Sequence, residues 1–309
     1  MKPYGIAVPG SIISAKTAAG YLRRTAAFLL SPARFSMESC AVLSDIESRI
    51  VSAGFLTWDQ VEQIGIARAE KALREADVVL LPMPVTRDEM YLHAPLANAP
   101  YRLKDVLDAI PAGTSVYGGA IPQTLYEPAR RREIRLYDYL KQEELALLNA
   151  IPTAEGAIQI AMEQLPVTIH DLPVLVIGAG RIGSAVAMRL RGLGARVTVS
   201  ARREADFARM YSAGYRCLDT RKLEGQLHAF PLIINTVPAD ILSRAVLANC
   251  APDTLLLDLA SGEGGVCEDA KNLCRVIHAL SLPGKVAPKS AAAAIAQTVR
   301  HMLEREGLI

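Results

Sequence analysis

The sequence predicts an α/β protein with two domains, a larger one built on a doubly wound parallel sheet and a smaller α/β domain at the N-terminus. The chain has 309 residues, of which 51% are hydrophobic and 21% are charged, so it can form two buried cores. Short aliphatic runs alternate with helical stretches from residue 173 onward, and a similar alternation occurs in the first half. Such alternation is typical of strands and helices in parallel α/β sheets.

The first half contains three candidate strands, in YGIAVPG, DVVLLPMPV and GTSVYGGAIP. Helices are predicted over 14–30, 59–75 and 102–110. We therefore predict that residues 1–150 form the smaller α/β domain, and that a C-terminal helix over 289–306 packs near it.

The larger domain is predicted over 151–288 and begins with a linker helix. Pro152 and Thr153 are typical of a helix start, and the helical pattern runs over 154–164. Thr153 is also a candidate substrate contact. Right-handed crossovers between parallel strands place all of their carboxyl ends at one edge of the sheet, where ligands bind. The predicted strands lie in PVLVIG, ARVTVSARR, FPLIINTVPA, DTLLLDLAS and RVIHALSLPG.

A glycine motif follows the first of these strands. Gly178, Gly180 and Gly183 form the pattern G-x-G-x-x-G between the strand and a helix. In this pattern the first glycine makes a tight turn, the second lets the backbone approach a pyrophosphate, and the third allows close packing of helix on strand. The motif predicts a Rossmann domain that binds a dinucleotide, with Arg181 and Ile182 at the helix N-terminus among the binding residues.

The end of the second strand indicates which dinucleotide binds. An NAD-dependent enzyme usually has Asp or Glu there, about 20 residues after the motif begins. Here Ser200 lies 22 residues (200 − 178) after Gly178, and Arg202 and Arg203 follow it. A hydroxyl and two guanidinium groups suit a 2′-phosphate, so NADP(H) is predicted. The alternative is that the arginines only begin a solvent-exposed helix.

Two further strand ends lie at the same predicted edge. Asn235, Thr236, Val237 and Pro238 follow the strand that would lie beside the nicotinamide, and the first two are candidate contacts to its carboxamide or ribose. Pro238 is predicted to start the next helix, and a plain strand-to-helix turn without such contacts is equally compatible. Asp258 ends the next strand, and it is either an N-terminal cap or a substrate contact.

Three charged residues are candidates for catalysis or substrate binding. Glu155 lies in the first turn of the predicted linker helix, where it either complements the helix dipole or contacts substrate as a proton acceptor. Lys285 and Lys289 lie on a predicted loop that Pro283 and Pro288 stiffen. The two lysines are candidate partners for carboxylates, or they belong to a solvent-exposed loop before the C-terminal helix.

Composition argues against several classes of protein. The formal net charge of +2 gives no reason to expect nucleic acid or an anionic membrane as a partner. No apolar run approaches the roughly 18 residues needed to span a bilayer, and the N-terminus is predicted to be a strand rather than a signal peptide. The five cysteines lack a CxxC pair and the five histidines are scattered, so we predict reduced cytoplasmic thiols, no metal site and structural roles for the histidines.

Several segments together resemble the A subunit of dipicolinate synthase. The resemblance extends from about Asn149 to Ala294, whereas the first 148 residues match less clearly. The linker and the lysine-containing segment are its most distinctive parts. The segments that carry it are LLNAIPTAEGAIQIAMEQLP, VLVIGAGRIG, NTVPA, LDLAS and LPGKVAPKSA.

The resemblance implies an NADP-dependent oxidoreductase of dipicolinate biosynthesis, similar in layout to two-domain hydroxyacid and alanine dehydrogenases. The implied substrate is 4-hydroxy-tetrahydrodipicolinate, a cyclic imine with two carboxylates, which loses water and passes a hydride to NADP⁺. The implied product is dipicolinate, which is stored in bacterial endospores. The resemblance also implies a second, flavoprotein-like subunit (the B subunit of dipicolinate synthase) and the cytoplasm of the mother cell, and it is compatible with a homo-oligomer.

For this reaction, Lys285 and Lys289 are candidate carboxylate-binding or proton-donating residues, and Glu155 and Asp258 are the other candidate catalytic residues. Two alternatives are left open. One is another two-domain NADP-dependent dehydrogenase of small hydroxy or imino acids, and the other is a non-catalytic NADPH-binding regulatory subunit. Hydride transfer from a dicarboxylic substrate would separate the enzymes from the regulator.

Overall fold

The chain divides into two units, one made of Met1–Ala146 with Pro288–Ile309 and the other of Leu147–Ala287. The predicted strand in YGIAVPG and nearly all of the helix predicted over 59–75 lie outside the part of the chain that the structure describes. The computed structural model describes residues 25–27, 73–74, 78–93 and 100–308.

Strands and helices alternate along the described residues, as predicted for an α/β fold. The strands are β1 (Thr25–Ala27), β2 (Val78–Leu80), β3 (Ser115–Gly118), β4 (Arg135–Asp138), β5 (Pro173–Ile177), β6 (Arg196–Ala201), β7 (Arg216–Asp219), β8 (Leu232–Asn235), β9 (Leu255–Asp258) and β10 (Arg275–His278). The helices are α1 (Leu103–Ala109), α2 (Tyr126–Arg131), α3 (Glu143–Gln164), α4 (Arg181–Gly192), α5 (Glu204–Ser212), α6 (Arg244–Leu247), α7 (Leu282–Val286) and α8 (Pro288–Arg305).

A parallel sheet forms the centre of the first unit, with its described strands in the order β1–β2–β3–β4. Val79 of β2 and Val116 of β3 are fully buried on one face, where they pack in a core with apolar residues of α1. The helix predicted over 102–110 is confirmed, since α1 spans nearly the same residues. This sheet is the smaller α/β fold expected from the first half of the sequence.

Strand β1 shows that one prediction for the first half is wrong. Its residues lie within the helix predicted over 14–30, but in the structure they pair in parallel with β2. Thr25 lies opposite Val78, and Ala27 lies opposite Leu80. Alanine favours a helix locally, but pairing with a sheet satisfies the backbone groups of these residues and decides their conformation.

The C-terminal helix α8 belongs to the first unit. Its buried face includes four alanines, its polar residues bond to the beginning of α3, and Glu306 directly after it bonds to β4. Glu144 accepts a hydrogen bond from Gln297 at 2.9 Å and lies 3.0 Å from Nδ1 of His301. The hydroxyl of Tyr137 donates to the carboxylate of Glu306 at 2.6 Å.

The second unit contains a six-stranded parallel sheet in the order β10–β9–β8–β5–β6–β7 among its described strands. Strand β5 is apolar throughout because both faces of the sheet are covered. Val174 and Val176 point into one core, with residues of α3 and α4, whereas Leu175 and Ile177 point into the other. The strand order changes direction between β5 and β8, as in dinucleotide-binding sheets, and the predicted Rossmann fold is confirmed.

Helix α3 is longer than the predicted linker helix, because it begins at Glu143 and places Pro152 in its interior. Pro152 has no N–H to donate to the preceding turn, and the hydroxyl of Thr153 donates to the carbonyl of Asn149 at 2.7 Å. In the described part of the chain, α3 is the one helix whose length and composition would allow it to cross a membrane. Half of that stretch is buried, and Ala154 is fully buried in the core of the second unit, so α3 is a core helix.

Candidate functional site

The carboxyl ends of the strands of the second unit form one row. Ile177 of β5 lies opposite Ser200 of β6 on one side and opposite Asn235 of β8 on the other. Asp258 of β9 lies opposite Asn235 and also opposite His278 of β10. The row therefore brings three predicted site residues to the sheet edge at which parallel α/β sheets bind ligands.

The glycine motif is a tight turn that leads from β5 directly into α4. Gly178 has a φ of +101°, which favours glycine, and a Cβ at Gly183 would stand 2.0 Å from the carbonyl oxygen of Gly178. Thr236 supports this turn from β8, because both its hydroxyl and its N–H donate to the carbonyl of Ile177 at 2.9 Å. The predicted strand–turn–helix geometry of the motif is present.

The space in front of this turn is open at Gly180. Gly180 is the N-cap of α4, and a Cβ built on it would meet no atom within 4 Å. Arg181 is exposed, and Ile182 packs partly against the core. The first N–H groups of a helix point out of its N-terminus without a backbone partner, so this turn offers the donors and the room that a pyrophosphate requires.

At the end of β6, the three predicted 2′-phosphate contacts differ in exposure. Ser200 is fully buried, and its hydroxyl accepts a hydrogen bond from the hydroxyl of Thr220 at 3.1 Å. Arg202 and Arg203 are exposed, and Nε of Arg203 donates to Oδ2 of Asp206 at 2.6 Å. Of the three predicted groups, the two guanidiniums are the ones within reach of a ligand in this arrangement.

Asn235 is fully buried, and its side chain bonds to the protein itself. Its Nδ2 donates to the carbonyl of Val237 at 3.2 Å and to Oδ1 of Asp258 at 2.9 Å, and its Oδ1 accepts from the N–H of Val237 at 3.1 Å. The predicted helix start at Pro238 is wrong. Helix α6 begins after Ser243, whose hydroxyl caps it, and Pro238 is an exposed residue between β8 and that cap.

Asp258 is only 2% exposed, and both of its carboxylate oxygens accept hydrogen bonds. Oδ1 accepts from Asn235 and from the N–H of Ala260 at 3.1 Å, and Oδ2 accepts from the N–H of Gly265 at 2.7 Å. In the described stretch directly after Asp258 the chain forms a loop and not a helix, so the predicted helix-cap role is wrong. These bonds hold the loop after β9 in place, and they favour a positioning role over direct proton transfer.

His278 was predicted to be structural, but the structure places it in the row of strand ends. The residue is exposed, and its Nε2 lies 3.0 Å from the carbonyl oxygen of Ala260. Because a carbonyl only accepts hydrogen bonds, Nε2 is the donor in this contact, and the neutral tautomer with its proton on Nε2 has a lone pair on Nδ1. The sequence placed it inside the predicted strand RVIHALSLPG, and the structure shows that the strand ends at His278, so no sequence signal identified it.

Thr153 and Glu155 of α3 both have partners within the second unit. Thr153 is buried, and its hydroxyl donates to Asn149 within the same helix. The carboxylate of Glu155 lies 3.6 Å from Nε of Arg189, and its side chain is 57% exposed. Because α3 begins at Glu143, Glu155 does not lie in the first turn, and the predicted helix-dipole role is wrong.

Lys285 and Lys289 lie on helices and not on the predicted loop. Lys285 is in the last turn of α7 and Lys289 is in the first turn of α8, with Ala287 between the two helices. Pro283 and Pro288 stand at helix N-termini, where a missing N–H costs nothing, and they begin helices instead of stiffening a loop. Both lysines are exposed, and they belong to different units, Lys285 to the second and Lys289 to the first.

Comparisons with known proteins cover almost the whole chain. Residues 37–140 match the model of the N-terminal domain of the dipicolinate synthase A subunit, and residues 149–305 match that of the alanine dehydrogenase/PNT C-terminal domain. The chain is 32% identical to the dipicolinate synthase A subunit of Bacillus subtilis (strain 168) over 279 residues, which are 86% of this chain and 92% of that protein. The chain belongs to the family of dipicolinate synthase A subunits.

Two solved structures of this family share the fold described above. The dipicolinate synthase A subunit of Bacillus halodurans has a TM-score of 0.77 and 27% identity, covering 92% of this chain and 98% of that one. Its counterpart from Bacillus subtilis has a TM-score of 0.76 and 29% identity, covering 91% of this chain and 96% of that one. The likeness thus extends through the N-terminal half, for which the sequence motifs indicated less.

As a homologue of the dipicolinate synthase A subunit, this chain is an oxidoreductase-like enzyme with a Rossmann-like domain that binds a dinucleotide. The glycine turn fits that ligand, because Gly180 leaves open the space that a side chain would fill. Among the described residues of this dipicolinate synthase homologue, no group of three or more His, Cys, Asp and Glu side chains is placed to bind a metal ion.

Proposed function

We propose that this chain is the dehydrogenase subunit of an NADP-dependent dipicolinate synthase, which converts 4-hydroxy-tetrahydrodipicolinate into dipicolinate. The observation that carries the proposal is the similarity to the dipicolinate synthase A subunit over 92% of the length of that relative. The conversion removes one water, and then one hydride and one proton, after which the ring is aromatic. A bound NADP⁺ supplies the hydride acceptor, and aromatisation supplies the driving force.

Arg202 and Arg203 are the proposed partners of the 2′-phosphate of the cofactor. Both are exposed directly after β6. At the end of β6, where an NAD-dependent enzyme usually has Asp or Glu, this chain has Ser200. The segment 235–238 after β8 is assigned to the nicotinamide half, with Thr236 and Asn235 acting through the backbone that they hold. The residues proposed to hold the pyrophosphate are Gly178, Gly180, Arg181, Ile182 and Gly183.

The substrate carries two carboxylates, so its site requires cationic groups. The exposed side chains of Lys285 and Lys289 are proposed for this role. Removal of ring protons requires a base, for which His278 and Glu155 are the candidates. His278 lies at the ligand-binding edge of the sheet and, in the neutral tautomer with its proton on Nε2, has a lone pair on Nδ1, whereas Glu155 is paired with Arg189. Asp258 is assigned to holding the loop beside them.

The proposal includes a partner and a place in the cell. The Bacillus subtilis relative is named as the A subunit of its enzyme, which implies a second one, and we assign to this chain a flavoprotein-like B subunit as its partner. Residues 1–150 are proposed to contribute to binding of the small dicarboxylate. The cytoplasm of the mother cell of a spore-forming bacterium is the proposed location, and self-association into a homo-oligomer is compatible with it.

The test is to mix the purified chain with NADP⁺ and enzymatically made 4-hydroxy-tetrahydrodipicolinate, with and without the B subunit. We expect reduced cofactor and dipicolinate to appear in equal amounts, which absorbance and chromatography measure separately. Cofactor reduction with other hydroxy or imino acids, and none with this substrate, would indicate a different dehydrogenase. Binding of NADPH without turnover in either mixture would indicate a regulatory role.

A further inference from the structure

Arg209 connects helix α5 to the glycine turn. It lies in the second half of α5, the helix that follows β6, and its Nη2 donates to the carbonyl of Ala179. Ala179 is the residue between Gly178 and Gly180, so this bond reaches the turn itself. Sequence reasoning did not single out Arg209, because it lies seven residues beyond Arg202, inside a helix (209 − 202).

Asp206 joins Arg209 to the end of β6. Its Oδ2 accepts from Nε of Arg203 at 2.6 Å, and its Oδ1 accepts from Nη2 of Arg209 at 2.9 Å. The side chain of Asp206 is 17% exposed, whereas those of Arg203 and Arg209 are 75% and 54% exposed. One shielded carboxylate therefore orients two guanidinium groups that are open to solvent.

The charge of this cluster suits an anion. The hydrogen bond from Arg203 lowers the pKa of Asp206, so its carboxylate is ionised at neutral pH and holds both guanidiniums as ion pairs. Arg202 directly precedes Arg203 in the chain and is also exposed, and the three guanidiniums outnumber the carboxylates of Glu204 and Asp206. The bonds of Arg209 to Ala179 and Asp206 use Nη2, and among the described residues its Nε and Nη1 have no acceptor.

The cluster stands at the corner where a Rossmann domain distinguishes its dinucleotides. In this fold, the ribose of the adenosine lies between the glycine turn and the end of the second strand, where a carboxylate binds the 2′-hydroxyl of NAD or an arginine accommodates the 2′-phosphate of NADP. Arg209 touches the first of these two elements, and Arg203 follows the second. Both oxygens of Asp206 already accept from arginines, and Asp206 lies within α5 and not at the end of β6, where an NAD-type carboxylate stands.

We propose that Arg209 is a binding residue for the 2′-phosphate of an adenine dinucleotide, and that Asp206 is the residue that positions it. This inference rests on the proposed NADP function. It adds a third guanidinium, which lies within a helix and not at the end of the second strand, where the residue that distinguishes NAD from NADP is usually found. Three guanidiniums from two sides would surround the phosphate, and a planar guanidinium can give two parallel hydrogen bonds to phosphate oxygens.

The test compares two ligands that differ only in the 2′-phosphate, adenosine 2′,5′-bisphosphate and 5′-AMP. Their dissociation constants are measured by calorimetry on the full chain, without substrate. In Arg209→Gln, the amide keeps a donor for Ala179 and loses the charge. We expect it to weaken binding of the bisphosphate by about 10- to 100-fold and that of 5′-AMP by less than about threefold. Arg209→Lys keeps the charge and loses the planar fork, so it should give an intermediate loss.

The positioning role of Asp206 has its own expected outcome. Asp206→Asn removes the charge that orients Arg203 and Arg209, and should weaken binding of the bisphosphate by about three- to tenfold while leaving 5′-AMP nearly unchanged. A fall in 5′-AMP affinity as large as that for the bisphosphate would show that Asp206 holds the ribose itself, and this would overturn its assigned role.

Arg196→Met is the matched control. Arg196 is also exposed and also donates to a backbone carbonyl, that of Asp171, but it lies at the opposite end of β6. It should change neither dissociation constant. If Arg209→Gln lowered the affinity for both ligands equally, together with the melting temperature, Arg209 would only fasten α5 and the inference would be wrong. If the wild-type chain bound the two ligands equally, the NADP assignment itself would be wrong. Failure of the NADP assignment and failure of the role of Arg209 therefore give different results.

Discussion

At the scale of single residues, two glycines of the motif are required for different physical reasons. At Gly183 the requirement is internal, because a Cβ there would stand 2.0 Å from the carbonyl oxygen of Gly178, and a backbone atom cannot move aside as the end of a side chain can. At Gly180 the protein itself would tolerate a side chain, because nothing lies within 4 Å of its Cβ position. The absence of a side chain at Gly180 therefore points to a ligand.

This difference predicts opposite effects of two substitutions. Gly183→Ala should lower the free energy of unfolding by about 1–3 kcal/mol or more, since overpacking usually costs this much, and it should lower the melting temperature. Gly180→Val should leave the melting temperature nearly unchanged and abolish dinucleotide binding, because its methyl groups would occupy the place of the pyrophosphate. Thermal melts and fluorescence titration with NADPH measure both effects. Undiminished binding by a folded Gly180→Val variant would place the cofactor elsewhere.

The exposed arginines after β6 allow a second test at this scale. Replacing Arg202 and Arg203 together by Ala should weaken binding of NADPH by on the order of 10- to 100-fold and change that of NADH by less than about threefold. The reason is that only NADPH places a phosphate dianion at this position. Ser200→Ala is a suitable control, since the buried hydroxyl bonds to Thr220 and should contribute little to either affinity. Equal affinity of the wild-type chain for NADH and NADPH would contradict the assignment.

At the scale of elements, the strands β8, β9 and β10 present their last residues in register, and Asp258 links them to the loops beyond. Its carboxylate accepts from the side chain of Asn235 on β8 and from two N–H groups of the loop after β9, at Ala260 and Gly265. His278 of β10 contacts the carbonyl of Ala260 in the same loop. A single buried carboxylate thus determines the conformation of a segment beside the proposed base.

Asp258→Ala should be strongly destabilising. It would leave buried donors of Asn235, Ala260 and Gly265 without an acceptor, at a combined cost of about 2–5 kcal/mol after partial relaxation. Asp253→Ala, in the exposed turn before β9, should stay within about 0.5 kcal/mol. Urea unfolding of the two variants provides the comparison. Equal stability of both would mean that the hydrogen bonds of Asp258 contribute nothing.

Helix α8 contains a buried polar atom whose removal is expected to stabilise the protein, in contrast to the removal of the Asp258 carboxylate. Thr298 is fully buried, and its hydroxyl has no hydrogen-bond partner among the described residues. Thr298→Val keeps the shape and the branching and removes the unpaired hydroxyl, so it should raise the free energy of unfolding by about 1 kcal/mol. Thr254→Val is the matched control, because that buried hydroxyl donates to the carbonyl of Phe230 at 3.4 Å and its removal should not stabilise. A loss of stability in Thr298→Val would contradict the prediction.

At the scale of the whole molecule, the second unit is one continuous segment of chain, whereas the first is assembled from both ends. The chain passes from the first unit to the second within α3, after Ala146, and returns between α7 and α8. The segment LPGKVAPKSA therefore contains the return point, with Lys285 before it and Lys289 after it. Lys285 and Lys289 are close in sequence but belong to different units, so substituting each of them tests one unit at a time.

If these lysines bind the carboxylates of the substrate, Lys285→Met and Lys289→Met should each lower kcat/KM by about 10- to 150-fold, the equivalent of one charge-assisted contact. The affinity for NADPH should stay nearly unchanged, because other elements hold the cofactor. Lys271→Met, which removes an exposed lysine paired with Glu268, is the control and should leave kcat/KM unaffected. Wild-type turnover in both test variants would place the carboxylate-binding groups elsewhere.

The sequence by itself determined the parallel α/β fold, the glycine turn and the family. These depend on local patterns, since an apolar run followed by G-x-G-x-x-G needs only its own spacing to form a strand, a turn and a helix. The sequence determined the helix boundaries less well than the fold. Pro152 was interpreted as a helix start, but the packing of α3 places it in the helix interior, and Thr25–Ala27 joined a sheet although their composition favoured a helix.

The tertiary structure alone decided which side chains are available to a ligand. Sequence spacing predicted Ser200 at the cofactor and Asp258 either at the substrate or at a helix cap, but strand register buries both and pairs them with other residues. The same register brings His278 to the ligand-binding edge, and the helix after β6 brings Arg209 to the glycine turn. The physical reason is that a spacing rule specifies the position of the backbone, whereas burial and hydrogen bonding of a side chain depend on residues that are distant in sequence.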